Sequence, residues 1–551
     1  MPHSLQFSSI RSRIAIRVWW LLLAAGIGLR VAASVFSQGF VHPDEHQQYL
    51  EVAQGIVYGP WVKFWEYDRG IRHYFYPDCL AILLWLLDKI GISHPLYQET
   101  IIRAILGTAV FLSIALLALD WKRDGRFPAA YCLLALTALS PDMIYMSIRT
   151  LSETASMILL ALSIHFFRKR PFSTGILLGA LFAVRFQSAF FILGFLALSL
   201  YNDWSSRKWS NGSTWKITIG LILSLLLMGF IDKLTWGHWF HSPIENFRAN
   251  ITEGVSATFG VSPWDKHMEW AAQLLAGAAP LLGFIFIALG LLRERRLAFV
   301  ALLFVIGHSA IAHKEYRFLW PVAPIGLLVF SAGFERAYNR LPSRYWRGVL
   351  FILFFCCLAR GAWTRFHLLA WNPEPSRASS LALTRVGQFQ DVTGVAVFNI
   401  PSAECGNYFY LRREVPLLFK HGDDLSVLTS DPLWTQGKIN YLIARTKDSA
   451  LIQGLHLEEI EIVHGLGIYR LLPWHVSCSI MAPANIREKG RLAEYICVQL
   501  TCRGNSFLPY FARRSALARH CRCAVDEIAI VHRIIGKLYC VMCFKPLPNI
   551  R

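Results

Sequence analysis

Two short charged runs in an otherwise apolar chain carry the residue types that could do chemistry. The first is His42-Pro43-Asp44-Glu45; the second is His313-Lys314-Glu315-Tyr316-Arg317-Phe318-Leu319-Trp320-Pro321. Proline followed by two acids reads as a helix start, because proline fits the first turn and the helix dipole favours carboxylates there. The same carboxylates suit a general base: a hydroxyl is a poor nucleophile near neutral pH, and a positioned carboxylate can take its proton as a bond forms. The second run has the charge to hold a phosphate. Arg317 offers a planar fork of donors, Lys314 a mobile point charge, and His313 a hydrogen bond. His313 has no companion set with metal spacing, so no metal is expected there.

Further polar interruptions accompany these runs. Ser147-Ile148-Arg149-Thr150-Leu151-Ser152-Glu153 separates two apolar stretches. Arg185 sits near the middle of an apolar stretch of about 30 residues, where an unpaired charge is costly and requires a polar cavity or a partner. Phe64-Trp65-Glu66-Tyr67 and Arg72 follow the first run. Their aromatics suit stacking on sugar rings and equally suit the interfacial belt of a membrane protein. Asp232, Trp236 to Trp239, Asn246, Asn250 and Phe259 to Trp264 form the last polar block.

The elements that must position these residues are membrane helices. The chain has 551 residues, 54% hydrophobic and only 17% charged, against about 25% charged in ordinary globular proteins. A helix crosses a bilayer with about 20 apolar residues, and on that measure we mark about eleven spans. They lie at 14–37, 99–120, 127–147, 152–167, 172–184, 188–202, 217–232, 270–292, 297–312, 318–335 and 348–363. Residues 78–91 are apolar but short, as for an interfacial helix, and the segments flanking Arg185 read as a broken or re-entrant pair. The formal charge is +19, but the basic residues fall in short clusters between spans, which is the pattern of cytoplasmic loops and not of a nucleic-acid-binding face. Lys122, Arg123 and Arg126, then Arg168 to Arg170, Arg207 and Lys208, Arg293 to Arg296, and Arg340 to Arg347 occupy every second loop. The alternate loops then face outward and hold all the polar blocks above.

The predicted organisation is a cytoplasmic N-terminus over 1–13 and a transmembrane module over 14–363, with its first outer loop at 38–77. After a linker at Trp371 to Pro375, a small outer α/β domain covers 376–475, with strands at Gly394 to Phe398, Ile439 to Ala444 and Gly467 to Leu471. A basic extension over 476–551 holds seven of the twelve cysteines. Its Cys521-x-Cys523 and Cys540-x-x-Cys543 pairs resemble a four-thiolate zinc site, while an oxidising outer compartment favours disulfides; no function is assigned to it.

In these blocks the chain resembles family 22 of the glycosyltransferases, polytopic mannosyltransferases of the GT-C fold. The family's first-loop signature is similar to His42-Pro43-Asp44-Glu45 followed by Gln48-Tyr49-Leu50-Glu51. Its TWEY block resembles Phe64-Trp65-Glu66-Tyr67 with Phe64 in place of Thr. Its Arg-Thr-Leu-Ser-Asn-Thr block resembles Arg149 to Thr154 with Glu153 in place of Asn. Its Arg-Pro-Thr block is reduced to Arg185-Phe186-Gln187, and its His-Lys-Glu-x-Arg-Phe block is intact at His313 to Phe318. The likeness runs over residues 15–335, and the GPI-anchor and lipid-linked-oligosaccharide enzymes are the similar subgroups.

The resemblance implies an enzyme that takes mannose from a polyprenyl (dolichyl) phosphate mannose. It transfers the sugar with inversion to a lipid-linked glycan acceptor, forming an α-linkage on the lumenal or periplasmic face of the endoplasmic reticulum or bacterial inner membrane. Asp44 would be the base and Glu45 its support or an acceptor contact. Arg317, Lys314 and His313, assisted by Arg149, would bind the donor phosphate. His42, Trp65, Glu66, Arg185 and Asn250 would contact substrate. No cofactor is implied, since the lipid-phosphate sugar is itself a substrate. The competing reading is a transporter or flippase of a lipid-linked sugar, which would place ionisable groups near the membrane midplane and show repeated halves.

Overall fold

The computed structural model describes residues 2–207, 212–270, 280–370 and 376–472. The cysteine-rich extension lies outside the described residues. Residues 1–472 form one compact unit. Four helical segments are long and apolar enough to cross a membrane: Arg13–Phe36, Pro95–Arg123, Ser213–Trp236 and Tyr316–Arg340. Phe127–Leu139 and Pro141–Ser147 pass the same test together but are bent by 63° at Ser140, where proline cannot continue the hydrogen-bond ladder. Ser152–Phe166, Pro171–Val184 and Leu282–Arg293 are apolar but short. The described segments therefore supply four or five helices that meet length and composition, and the predicted count of eleven is not reached on that test.

The predicted break at Arg185 is present. Helix Pro171–Val184 ends there, Arg185 itself is extended (φ −151°, ψ 108°), and a single 3-10 turn at Phe186–Ser188 leads into helix Ala189–Ser205. Helix Pro171–Val184 is clamped against Ser213–Trp236 by two glycines: a Cβ on Gly175 would lie 2.0 Å from the Ile217 carbonyl oxygen, and one on Gly220 2.2 Å from that of Phe172. Close backbone approach through small residues is the usual way helices associate where no water drives them together. It fixes the height at which the Arg185 break occurs.

The α/β domain holds a five-stranded sheet of β1 (Val395–Phe398), β2 (Leu417–Lys420), β3 (Tyr441–Arg445), β4 (Leu457–Val463) and β5 (Leu466–Leu471) in the order β2-β1-β3-β5-β4. β1 runs parallel to both β2 and β3, with Val395 opposite Leu417 and Tyr441; β5 is antiparallel to β3 and β4. β1, β3 and β5 are the three expected strands. β2 and β4, the two edges, were not expected: β2 is four residues long, and β4 reads Leu-Glu-Glu-Ile-Glu-Ile-Val, polar as solvent-facing edges tend to be.

This domain does not hang from a tether. Val397, Phe409, Leu411 and Leu383 share one apolar core with Tyr49, Tyr76, Leu84 and Ile102 of the membrane module. Polar ties reinforce it. Glu51 accepts from the backbone N–H groups of Tyr408 (3.2 Å) and Phe409 (2.9 Å), and the Tyr410 hydroxyl donates to Glu99 at 2.6 Å. Gln47 donates to the Ser402 carbonyl at 3.3 Å.

Candidate active site

The His42 to Glu45 run folds as the expected helix start. Pro43–Glu45 forms one turn capped by His42, whose Nδ1 accepts from the Asp44 N–H at 3.2 Å, while Glu45 Oε1 accepts from the His42 and Val41 N–H groups at 3.3 and 3.2 Å. The helix continues through a π segment, His46–Leu50, into Glu51–Tyr58; such widened turns are common at functional sites.

The two acids of this turn part company. Glu45 is 1% exposed and points inward, with Oε2 3.7 Å from Arg149 Nη1 and 3.8 Å from Arg103 Nη2. It holds the turn from beneath. Asp44 instead meets Arg317, whose Nη2 donates to its Oδ2 at 2.6 Å. Burial alone would raise the Asp44 carboxyl, but Arg317, His42 and Arg72 outweigh it and hold it below its ordinary value. It is therefore a carboxylate at neutral pH.

Arg317 is the hub. Its Nε donates to Glu315 Oε2 at 2.7 Å, and its Nη1 lies 3.5 Å from Glu153 Oε1. Glu153 in turn accepts from Arg185 Nη1 at 2.9 Å, and both guanidinium groups lie over the Phe318 ring, at 5.2 and 5.0 Å. Arg185 thus finds the partner its burial demands. Glu315 also meets His42 Nε2 at 3.2 Å and His313 Nε2 at 3.0 Å. Burial opposes its charge, yet its hydrogen bonds to His42 and Arg317 hold the carboxyl far below its usual range.

A narrow cleft of about 20 Å³ opens beside this cluster, lined by Tyr49, Arg72, Tyr76, Arg185, Gln187 and Asn246 among others. The Nε groups of Arg72 and Arg185 are buried and have no hydrogen-bond partner among the described residues. Buried donors left unpaired cost roughly 1–3 kcal/mol each, so these two guanidinium groups favour any anion that can reach them. Glu66, buried beneath it, accepts from Gln48 at 2.9 Å, and burial raises its carboxyl.

Several expected site residues lie elsewhere. The Lys314 ammonium donates to the carbonyls of Ile311 (2.6 Å) and Ser262 (3.1 Å), fastening the turn to the preceding loop; its partner is backbone, not the cluster. Arg149 donates to Ser37 Oγ at 2.9 Å and lies over the Tyr145 ring, under Glu45. Asn250 donates to the Asn246 carbonyl, and it is Asn246 that lines the cleft. Trp65 stacks on Phe259 at 5.9 Å, at the rim, 38% exposed. His42 and His313 both serve Glu315. Glu153, Glu315 and Arg72 were quoted in the sequence blocks without a role; the cost of burying Arg185 alone was the signal that a carboxylate partner had to exist.

A membrane-helix module with an acid–arginine cluster beside a narrow cleft and a packed α/β domain defines the GT-C class of membrane protein. The crystal structure of ArnT from Cupriavidus metallidurans bound to undecaprenyl phosphate superposes with a TM-score of 0.54 at 13% identity, over 84% of this chain and 98% of that one. The chain belongs to the Alg9-like mannosyltransferase family, whose model matches residues 18–368. Among curated relatives, GPI mannosyltransferase 3 of Drosophila melanogaster is 27% identical over 61% of this chain and 60% of its own length. Mannosyltransferase APTG1 of Arabidopsis thaliana is 25% identical over 56% and 58%, so the match spans about three fifths of these relatives.

Proposed function

We propose that the protein is an inverting membrane mannosyltransferase. It moves mannose from a polyprenyl (dolichyl) phosphate mannose to a lipid-linked glycan, with GPI-type glycolipids the favoured acceptors. The observation that carries this reading is the meeting of Asp44 with Arg317, beside a cleft whose arginines have unmatched donors. Family membership and the names of the relatives support the sugar and the acceptor class. The fold shared with a protein crystallised with a polyprenyl phosphate is consistent with the donor.

In this mechanism Asp44 takes the proton of the acceptor hydroxyl as its oxygen attacks the anomeric carbon of the donor. The sugar–phosphate bond breaks on the opposite face, and the departing phosphate is neutralised by Arg317, Arg185 and Arg72. The incoming phosphate competes with Asp44 for Arg317. Drawing the guanidinium away removes the main attraction holding Asp44 acidic, so donor binding strengthens the base it will use. Lys314, Arg149 and Glu45 act indirectly, by fixing the two turns. The site is proposed to face the lumen or periplasm, because the Lys and Arg clusters occupy the alternate loops.

The test is transfer of radiolabelled mannose from polyprenyl-phosphate mannose to membrane lipids. Label entering a glycolipid with the wild type and not with Asp44→Ala supports the reading. A folded wild type that moves no label with donor present rejects it.

A further inference from the structure

A second cleft, of about 380 Å³ and open to solvent, is lined by the α/β domain and by neither Asp44 nor Arg317. Its position follows from the strand order. From β1 the chain steps outward to β2 and then returns past β1 to β3, so the winding direction reverses between the two parallel neighbours β1 and β3. In open α/β sheets, ligands sit outside the carboxyl ends of the strands at such a reversal, because the departing loops diverge there and leave a crevice. β1 ends at Phe398 and β3 at Arg445; Glu404 from the loop after β1, and Arg445, Thr446 and Lys447 from the loop after β3, line this cleft. Ser379, in the first turn of helix Arg377–Gly387, and His464 complete it.

The chemistry of the lining is specific. Arg445 and Lys447 supply positive charge, and Arg445 is only loosely occupied, with Nη2 3.4 Å from Glu404 Oε2. Ser379 and Thr446 bring hydroxyls and Glu404 a carboxylate that can accept from sugar hydroxyls. His464 occupies the two-residue β4–β5 hairpin at φ 48°, followed by Gly465 at φ 83°. Asn or Gly suits that left-handed position better, so an imidazole is displayed there against backbone preference. Ala378, Ile400 and Leu466 add apolar surface beside these groups, on which the face of a sugar ring can lie.

We propose that this cleft binds a phosphate-bearing saccharide portion of the lipid-linked acceptor, presenting the glycan to Asp44. The proposal rests on the mannosyltransferase reading for the identity of the acceptor, not for the existence of the site. Its wall is tied to the catalytic turn. Ser379 Oγ donates to the Glu404 carbonyl at 2.6 Å, and the Ser402 carbonyl of the same loop accepts from Gln47, three residues beyond Asp44. The loop that lines the cleft through Glu404 is thus also bonded to the helix whose first turn carries Asp44.

The experiment uses the full chain in detergent and the double variant Arg445→Ala/Lys447→Ala, with Arg385→Ala, a cation at the far end of helix Arg377–Gly387, as the charge control. Thermal melting verifies folding, which is expected to survive because exposed pairs such as Arg445–Glu404 contribute little. Binding of mannose 6-phosphate, free mannose and inorganic phosphate is measured, and mannose transfer is followed against acceptor and donor concentration. The double variant should bind mannose 6-phosphate about tenfold more weakly and need about tenfold more acceptor, with donor KM and maximal rate kept; the control should match wild type. Unchanged binding and unchanged acceptor dependence overturn the proposal, as does a wild type that binds no mannose 6-phosphate. Inorganic phosphate binding as tightly as the sugar phosphate overturns the saccharide assignment. If the wild type transfers no mannose, the functional reading fails, and the binding arm alone decides the site: loss in the variant upholds it, and no loss ends it.

Discussion

Asp44 and Arg317 lie 273 positions apart in the chain and meet at 2.6 Å. In the proposed mechanism, base and phosphate grip are thus one ion pair before substrate arrives. Arg317 is held from its other side by Glu315 and faces Glu153, so its guanidinium is preorganised, and the movement asked of it is small.

Asp44→Asn should keep the fold, because the turn is capped by His42 and Glu45 and not by Asp44. Transfer should fall by about 10²–10⁴-fold, the usual worth of a positioned base, while donor KM should not rise, because Arg317 loses the carboxylate that competes for it. Initial rates at saturating donor measure it.

Removing Arg317 should raise the Asp44 carboxyl, since burial then acts without its chief opponent. In the wild type without donor, Arg317 holds the Asp44 carboxyl below its ordinary value. In Arg317→Gln the residual kcat/KM for donor, which reports the free enzyme, should be low, and its acid limb should move upward in pH. A limb that stays in place removes Arg317 as the group that holds Asp44 acidic.

Glu153 is fully buried between two arginines. Glu153→Gln leaves Arg185 and Arg317 facing each other without their shared counter-charge, and breaking such a buried pair costs about 3–5 kcal/mol. Its melting temperature should drop, and added polyprenyl phosphate should restore more of the loss than it adds to wild type. Thermal shift with and without that lipid reads both.

Glu315 has a depressed carboxyl, so it binds its proton less readily folded than unfolded. Its stabilisation is fully present above the unfolded value of about 4.3 and fades as pH falls below it. The melting-temperature gap between wild type and Glu315→Gln should be constant from pH 7 to 5 and narrow below about 4.

Lys314→Met should lower thermal stability through the lost bonds to Ile311 and Ser262 and leave donor KM within about twofold of wild type, a change too small to represent a lost phosphate contact. A tenfold rise would return Lys314 to the phosphate.

How much of this was legible depended on whether a residue's neighbours in sequence are also its neighbours in space. The capped start at Pro43 and the break at Arg185 are local events, and their residue types announced them. The central strands β1, β3 and β5 are buried runs of Val, Ile and Leu and were equally plain; the edges β2 and β4, half solvated, carry no such pattern. The roles of Lys314 and Arg149 were obscured because charge type says what a side chain can bind and not which way it turns. Glu51 was invisible as a tie, since its partners Tyr408 and Phe409 lie more than 350 positions downstream.

The apolar core shared by Tyr49, Tyr76 and Ile102 with Val397 and Phe409 also sets an order of assembly. The segment bearing Asp44 emerges early in synthesis, but the surfaces that bury its flanks are made only after residue 400 or so. Contacts of such long sequence separation close late. The nascent chain therefore carries the turn bearing Asp44 through membrane insertion in an unfinished form, and its packing is completed with the last strands of the sheet.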